Sequence, residues 1–195
     1  MKIAVITGAS SGMGREFVRQ AGYFYRILEQ VYKQYHSGLK EKKPDIRMLV
    51  NAAGFGKSGT FSEIASEDKK LQPDMIDLNC RALTRMIQLS LPRMSRGSRI
   101  INLASAAAFC PQNGFAVYAA TKAYVLSLSR ALSSELRSRG IIVTAVCPGP
   151  VDTEFFQVSG ELTDPLKKLT MAKAPAVVHK ALKDSRKRRE VSVYG

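Results

Sequence analysis

The sequence predicts an α/β fold, a doubly wound parallel sheet with helices on both faces. Three observations predict it. Short apolar, β-branched runs recur along the chain and stop at Gly or Pro. Longer segments with helical spacing lie between them. The chain has 195 residues, 45% hydrophobic and 24% charged, which is the size and balance of one soluble domain. Strands buried on both faces read as unbroken apolar runs. Their alternation with helices implies parallel pairing through crossovers.

The elements follow in order. Lys2–Thr7 is the first strand, ending at Gly8. A helix begins over Gly14–Gln20. Tyr23–Tyr35 carries Ile27, Leu28, Val31 and Tyr35 on one side and reads as helix. Met48–Asn51 is a strand ending at Ala52-Ala53-Gly54. Asp74–Met94 is helical. Arg99–Leu103 is a strand, Tyr118–Arg139 a helix, and Ile141–Val146 a strand stopped by Pro148-Gly149-Pro150. Ala174–Lys187 is the last helix and Glu190–Tyr194 a fifth strand. With no repeat, linker or low-complexity segment, residues 1–195 form a single domain.

Composition excludes several classes. Cys80, Cys110 and Cys147 are far apart with no CxxC pair, which argues against a disulfide scaffold or a Cys-based zinc site. His36 and His179 are too few and too distant for a His-based metal site. No apolar run reaches membrane-spanning length. Met1 leads straight into the first strand without a signal-peptide pattern. The expected compartment is the cytoplasm, with no membrane partner. The net charge is +14, and no acidic residue lies between Asp77 and Glu135. Such a balance suits nucleic acid, an anionic membrane, an anionic small molecule or a solvated basic face. The Arg186-Lys187-Arg188-Arg189 run sits at a helix end, where cations favour the dipole without a partner. No nucleic-acid partner is expected.

Two motifs carry chemistry. Thr7-Gly8-Ala9-Ser10-Ser11-Gly12-Met13-Gly14 joins the first strand to the first helix. Glycines there allow a tight turn and close approach of backbone to a pyrophosphate, which the helix-start N–H groups then hold. The spacing is Gly-x3-Gly-x-Gly rather than the Gly-x-Gly-x2-Gly fingerprint. Tyr118 and Lys122, four apart, project from one helix face. With 7 Tyr and 15 Lys in the chain, such a pair arises easily by chance. Ser105 adds weight, because it follows the Arg99–Leu103 strand, and strand ends are where open α/β sheets bind ligands.

The chemistry is coherent. A free Tyr has a pKa of about 10, so about one in a thousand is phenolate at neutral pH. A nearby ammonium would lower that value. Tyr118 could then exchange a proton with an alcohol or carbonyl oxygen, and Ser105 could hydrogen-bond the same oxygen. The hydride has to come from a nicotinamide, since no side chain supplies one.

In these residues the sequence resembles the short-chain dehydrogenase/reductase family. The match runs, in the family's order, through the glycine loop, Asn51-Ala52-Ala53-Gly54, Asn79, Ser105, Tyr118-x3-Lys122 and Pro148-Gly149-Pro150-Val151-Asp152-Thr153. The resemblance implies a Rossmann-like domain and an NAD- or NADP-dependent oxidoreductase acting on alcohol and carbonyl groups. It implies Tyr118 as acid/base, Lys122 as the residue that tunes Tyr118 and binds the nicotinamide ribose, Ser105 as substrate-oxygen stabiliser and Asn79 as holder of a proton-relay water. Cofactor contacts would come from Gly8, Ser10, Ser11, Gly12, Met13, Gly14, Asn51, Ala52, Ala53, Gly54, Tyr118, Lys122, Pro148, Gly149, Val151 and Thr153. No metal is implied. Homodimers or homotetramers built on the Asn- and Tyr-bearing helices are.

One departure is large. The resemblance implies roughly thirty more residues between the glycine loop and Asn51, against usual connection lengths of a few residues. They would build the second and third strands, a region here shortened or missing. The second strand's end carries the residue that meets the adenosine ribose, acidic for NAD and accommodating for the NADP phosphate when basic. Either residues are absent near Gln20–Gly22 or the deletion is genuine. A genuine deletion leaves Lys2–Thr7 as an apolar sheet edge, which proteins avoid. Arg15 favours NADP. The 154–173 segment resembles the family's substrate loop. Its Phe155, Phe156, Leu162, Leu166, Leu169 and Met171 suit a lid over a lipophilic carbonyl or ordinary core packing. Two alternatives stand beside the enzyme. One is a non-catalytic binding or regulatory protein with impaired dinucleotide binding. The other is a nucleotide-sugar epimerase or dehydratase.

Overall fold

The protein's structure, a computed structural model, describes residues 2–21, 32–155 and 171–194. Strand β1 (Lys2–Thr7) leads through the glycine loop to α1 (Gly12–Ala21). Helix α2 (Tyr32–Lys42), strand β2 (Asp45–Asn51) and helices α3 (Phe61–Glu67) and α4 (Leu71–Ile76) follow. A π-helical turn over Asp77–Ala82 joins α4 to α5 (Leu83–Ser90). Next come β3 (Arg99–Leu103), α6 (Ala116–Glu135) and β4 (Ile142–Pro148). The short strands β5 (Val151–Asp152) and β6 (Ala172–Lys173), then α7 (Ala174–Arg186) and β7 (Val191–Tyr194), complete the described chain.

The main sheet has the order β1-β2-β3-β4-β7, and every pairing is parallel. Each strand therefore ends on the same rim. Thr7 pairs with Asn51, and Asn51 with Asn102. Alternate residues of each strand face opposite layers. Ile3, Val5, Leu49, Ile100 and Val143 pack with Leu39 of α2, Leu83 and Ile87 of α5 and Val125 of α6. Ala4, Ile6, Val50, Ile101 and Val146 pack with Phe17 of α1 and Val177, Val178 and Ala181 of α7. This is the doubly wound α/β architecture expected from the apolar runs.

The shortened region shows in the strand order. β1 is an end strand, and among the described residues no strand lies beyond it. Its two faces are nevertheless buried, one beneath Phe17 and the other beneath Leu39. Of the expected helix Tyr23–Tyr35, residues 23–31 lie outside the described residues, and Tyr32–Tyr35 belong to α2.

Helix α3 has no counterpart in the expected elements. Its start is a reciprocal cap: Glu63 N–H donates to Thr60 Oγ1 at 3.3 Å, and Thr60 N–H donates to Glu63 Oε2 at 2.8 Å. The Thr-x-x-Glu pattern that produces it is local in sequence. Among the described residues, no helix is long and apolar enough to cross a membrane, and no group of His, Cys, Asp and Glu could hold a metal ion.

Candidate active site

The π-helical turn re-aims Asn79 into the protein, where its side chain is 1% exposed. Such wide turns insert one residue into a helix and often mark functional sites. Asn79 Oδ1 accepts from Phe55 N–H at 3.1 Å, and Nδ2 donates to Phe55 O at 2.9 Å and to Thr121 Oγ1 at 3.1 Å. One side chain thus ties the loop after β2 to α6. Gly54 makes room for it, since a Cβ there would lie 2.8 Å from Asn79 Oδ1 and 3.5 Å from Lys122 Nζ.

Tyr118 and Lys122 both point inward from the first turns of α6, 8% and 6% exposed. The Tyr118 ring lies between Phe115 and Phe155, with centroids 4.3 Å and 5.5 Å away. Lys122 Nζ donates to Leu103 O at 2.8 Å and stands 5.5 Å from the Tyr118 ring centroid. Ser105 caps the short turn after β3, its Oγ accepting from Ala107 N–H at 3.2 Å.

The electrostatics reverse one expectation. Burial pushes the Tyr118 phenol up to about 12, and the Ser105 hydroxyl beside it only partly opposes this. Burial also pulls Lys122 down to about 8. Desolvation disfavours both charged forms. The ammonium is committed to Leu103 O and does not offset the apolar walls around the phenol. Cys147, buried under the same site, has its thiol pushed up to about 11 by desolvation. Cys110 is exposed.

Asn51 supports the sheet. Its Nδ2 donates to Asn102 Oδ1 at 2.8 Å, and Asn102 Nδ2 donates to Ser129 Oγ at 2.9 Å, joining β2, β3 and α6. Thr7 links β1 to the same rim, with Oγ1 accepting from Ala52 N–H at 3.1 Å and Ala53 N–H at 3.2 Å.

The glycine loop passes close to that rim. Gly8 has φ +66°, and a Cβ on it would come within 2.9 Å of Ala53 N. A Cβ on Gly14 would overlap Gly8 O. Ser10 and Ser11 are exposed on the rim, while Met13 packs against the α1–α7 layer. Gly12 N–H donates to Glu154 Oε2 at 3.0 Å, and Arg15 donates to Glu154 Oε1 at 2.9 Å. Thr153 lies over the same glycine, 3.4 Å from where its Cβ would be. Pro148 pairs with Tyr194, Gly149 N–H donates to Tyr194 O at 2.9 Å, and Val151 is buried.

The fold thus gathers Asn79, Ser105, Tyr118 and Lys122 on one side of the rim, and the glycine loop with Thr153 on the other. Thr7, Thr121, Phe115 and Glu154 also belong to this neighbourhood and were not among the expected site residues. Thr121 and Glu154 adjoin expected residues in sequence, and Thr7 stands within the glycine motif.

The family model for short chain dehydrogenase matches residues 28–163. The chain belongs to the short-chain dehydrogenase family. An uncharacterized oxidoreductase of Staphylococcus epidermidis is 30% identical to this chain over 184 positions, covering 78% of this chain and 79% of the relative. Since 78% of 195 residues is about 152, the relative has positions without a counterpart here. A 3-oxoacyl-acyl-carrier-protein reductase of Staphylococcus aureus is 29% identical, covering 89% of this chain and 83% of the relative. The structure of a short-chain dehydrogenase from Sphingobium yanoikuyae in complex with NADPH matches with a TM-score of 0.83 at 27% identity, covering 99% of this chain and 87% of that one.

Proposed function

We propose that this short-chain dehydrogenase interconverts an alcohol and a carbonyl by hydride transfer with NAD or NADP. The observation that carries the reading is Tyr118, Ser105, Lys122 and Asn79 gathered beside a glycine loop whose first helical N–H already holds an anionic group. The residues fit a dinucleotide at its pyrophosphate and nicotinamide half: the glycines leave a cradle that a Cβ would fill, and Gly12 N–H is turned to a carboxylate. Gly8, Ser10, Ser11, Gly12, Met13 and Gly14 would hold the pyrophosphate. Asn51–Gly54, Lys122 and the Pro148–Thr153 strip would border the nicotinamide. Arg15 and the NADPH bound by the Sphingobium relative favour NADP.

When bound, the nicotinamide supplies the hydride. The chain's own residues handle the proton. With its phenol pushed up to about 12, Tyr118 is protonated at neutral pH and donates to a carbonyl oxygen. Ser105 hydrogen-bonds the same oxygen as charge develops on it. Asn79, fixed by Phe55 and Thr121, holds the α6 end of the site in place. Phe115 and Phe155 exclude water from the ring. These two rings favour a lipophilic carbonyl substrate.

Ile76, Leu78 and Tyr124 are exposed on the helices that carry Asn79 and Tyr118, and homodimerisation through that face accompanies the reading. Sedimentation at graded concentration tests it; a monomer throughout would dismiss the dimer.

A second reading has one observation behind it. With β1 at the sheet's end, no described strand beyond it can meet the adenosine ribose. That favours a binding protein with weak dinucleotide affinity. Calorimetric titration with NADPH and with NADH, followed by a carbonyl panel, separates the two. Binding with turnover supports the enzyme, whereas binding of neither supports the second reading.

A further inference from the structure

The Glu154 carboxylate sits against the start of α1. Gly12 opens α1 with φ +47°, and its N–H faces out of the helix start, a direction that holds anions. Both Glu154 oxygens are engaged there, one by Gly12 N–H at 3.0 Å and the other by the Arg15 guanidinium at 2.9 Å. The backbone N–H groups of Glu154 and Gly12, ahead of Arg15, hold the carboxyl below its usual range, so it is an anion at neutral pH. The two partners are 58% and 42% exposed, so the pair is an open surface contact that a competing anion can reach. One N–H cannot serve two anions at once.

We propose that Glu154 is an internal competitor for the cofactor's pyrophosphate, setting dinucleotide affinity by occupying Gly12 N–H and Arg15 until the ligand displaces it. This rests on the dinucleotide reading above. Displacement hands both donors to the ligand and releases Glu154. The next residue, Phe155, packs 5.5 Å from the Tyr118 ring, so cofactor entry is felt beside the proton donor. Glu154 therefore couples cofactor binding to the substrate side.

The test uses the full chain and Glu154→Gln, which keeps the shape and removes the charge. Circular dichroism first establishes that the variant folds. Each protein is titrated calorimetrically with NADPH and, separately, with inorganic pyrophosphate. The expected result is about fivefold tighter binding of both ligands by the variant, the fold-change of one surface ion pair. Arg15→Gln should weaken both. Equal or weaker binding by Glu154→Gln would overturn the proposal. If NADPH binds neither protein while pyrophosphate binds the variant more tightly, Glu154 competes with anions at Gly12, but the dinucleotide reading fails and with it the role of Glu154 in setting cofactor affinity. If neither ligand binds either protein, both fail.

Discussion

The two sides of the rim are built differently. The tyrosine side is buried and held from several directions: Asn79 by Phe55 and Thr121, Lys122 by Leu103, Tyr118 by two aromatic rings. The glycine side is backbone shaped by absent side chains, and its donors are engaged by the half-exposed Glu154. The first is preorganised before any ligand arrives, as catalysis by fixed dipoles requires. The second has to exchange its partner when a ligand binds. Proton transfer tolerates little displacement, while anion binding needs donors that can be released.

The largest expected effect falls on the tyrosine side. Tyr118→Phe removes the proposed proton donor and leaves the ring stack, so the proposed carbonyl reduction should fall about a thousandfold. Steady-state kinetics beside NADPH titration checks it. Retained activity, or lost NADPH binding, would show that Tyr118 does other work.

A pH measurement sharpens the same side. Lys122 has its folded pKa pulled down to about 8 from 10.5. The folded state therefore releases this proton first, and between these values the unfolded state binds more protons. The group's contribution to stability rises with pH across that window. At about 1.4 kcal/mol per unit, wild type should gain up to about 3 kcal/mol relative to Lys122→Met over the window. Denaturant melts at pH 7, 9 and 10 read it as about the expected slope. A flat difference would mean that Lys122 is not desolvated.

The glycine side should give a smaller but separable response. Gly14→Ala drives a Cβ onto Gly8 O, backbone against backbone, and should cost about 2 kcal/mol while abolishing pyrophosphate binding. Unchanged binding would show that the loop can rebuild. The smallest effect is expected away from both sides. Thr60→Ala removes the cap of α3 and should cost about 1 kcal/mol with activity intact. A loss of activity would mean that α3 belongs to the site.

Neighbours along the chain encoded much of this molecule. The runs Lys2–Thr7 and Arg99–Leu103 match β1 and β3 residue for residue, because burial on both faces makes the middle of each strand apolar, at Ile3–Ile6 and at Ile100 and Ile101. The Tyr118–Lys122 spacing fixed a shared helix face, and the glycines fixed a loop. The cap at Thr60 and Glu63 was equally local, yet its three-residue signal is easily passed over in an irregular stretch.

Other properties arose from residues distant in sequence. Glu154 meets Gly12 across 142 positions, and Asn79 meets Thr121 across 42. Spacing cannot announce such contacts. The direction of the Tyr118 shift belongs with them. An adjacent lysine suggested a lowered pKa, but desolvation by walls drawn from separate elements prevailed. Periodicity is a property of neighbouring residues, whereas the cost of burying a charge depends on everything folded around it.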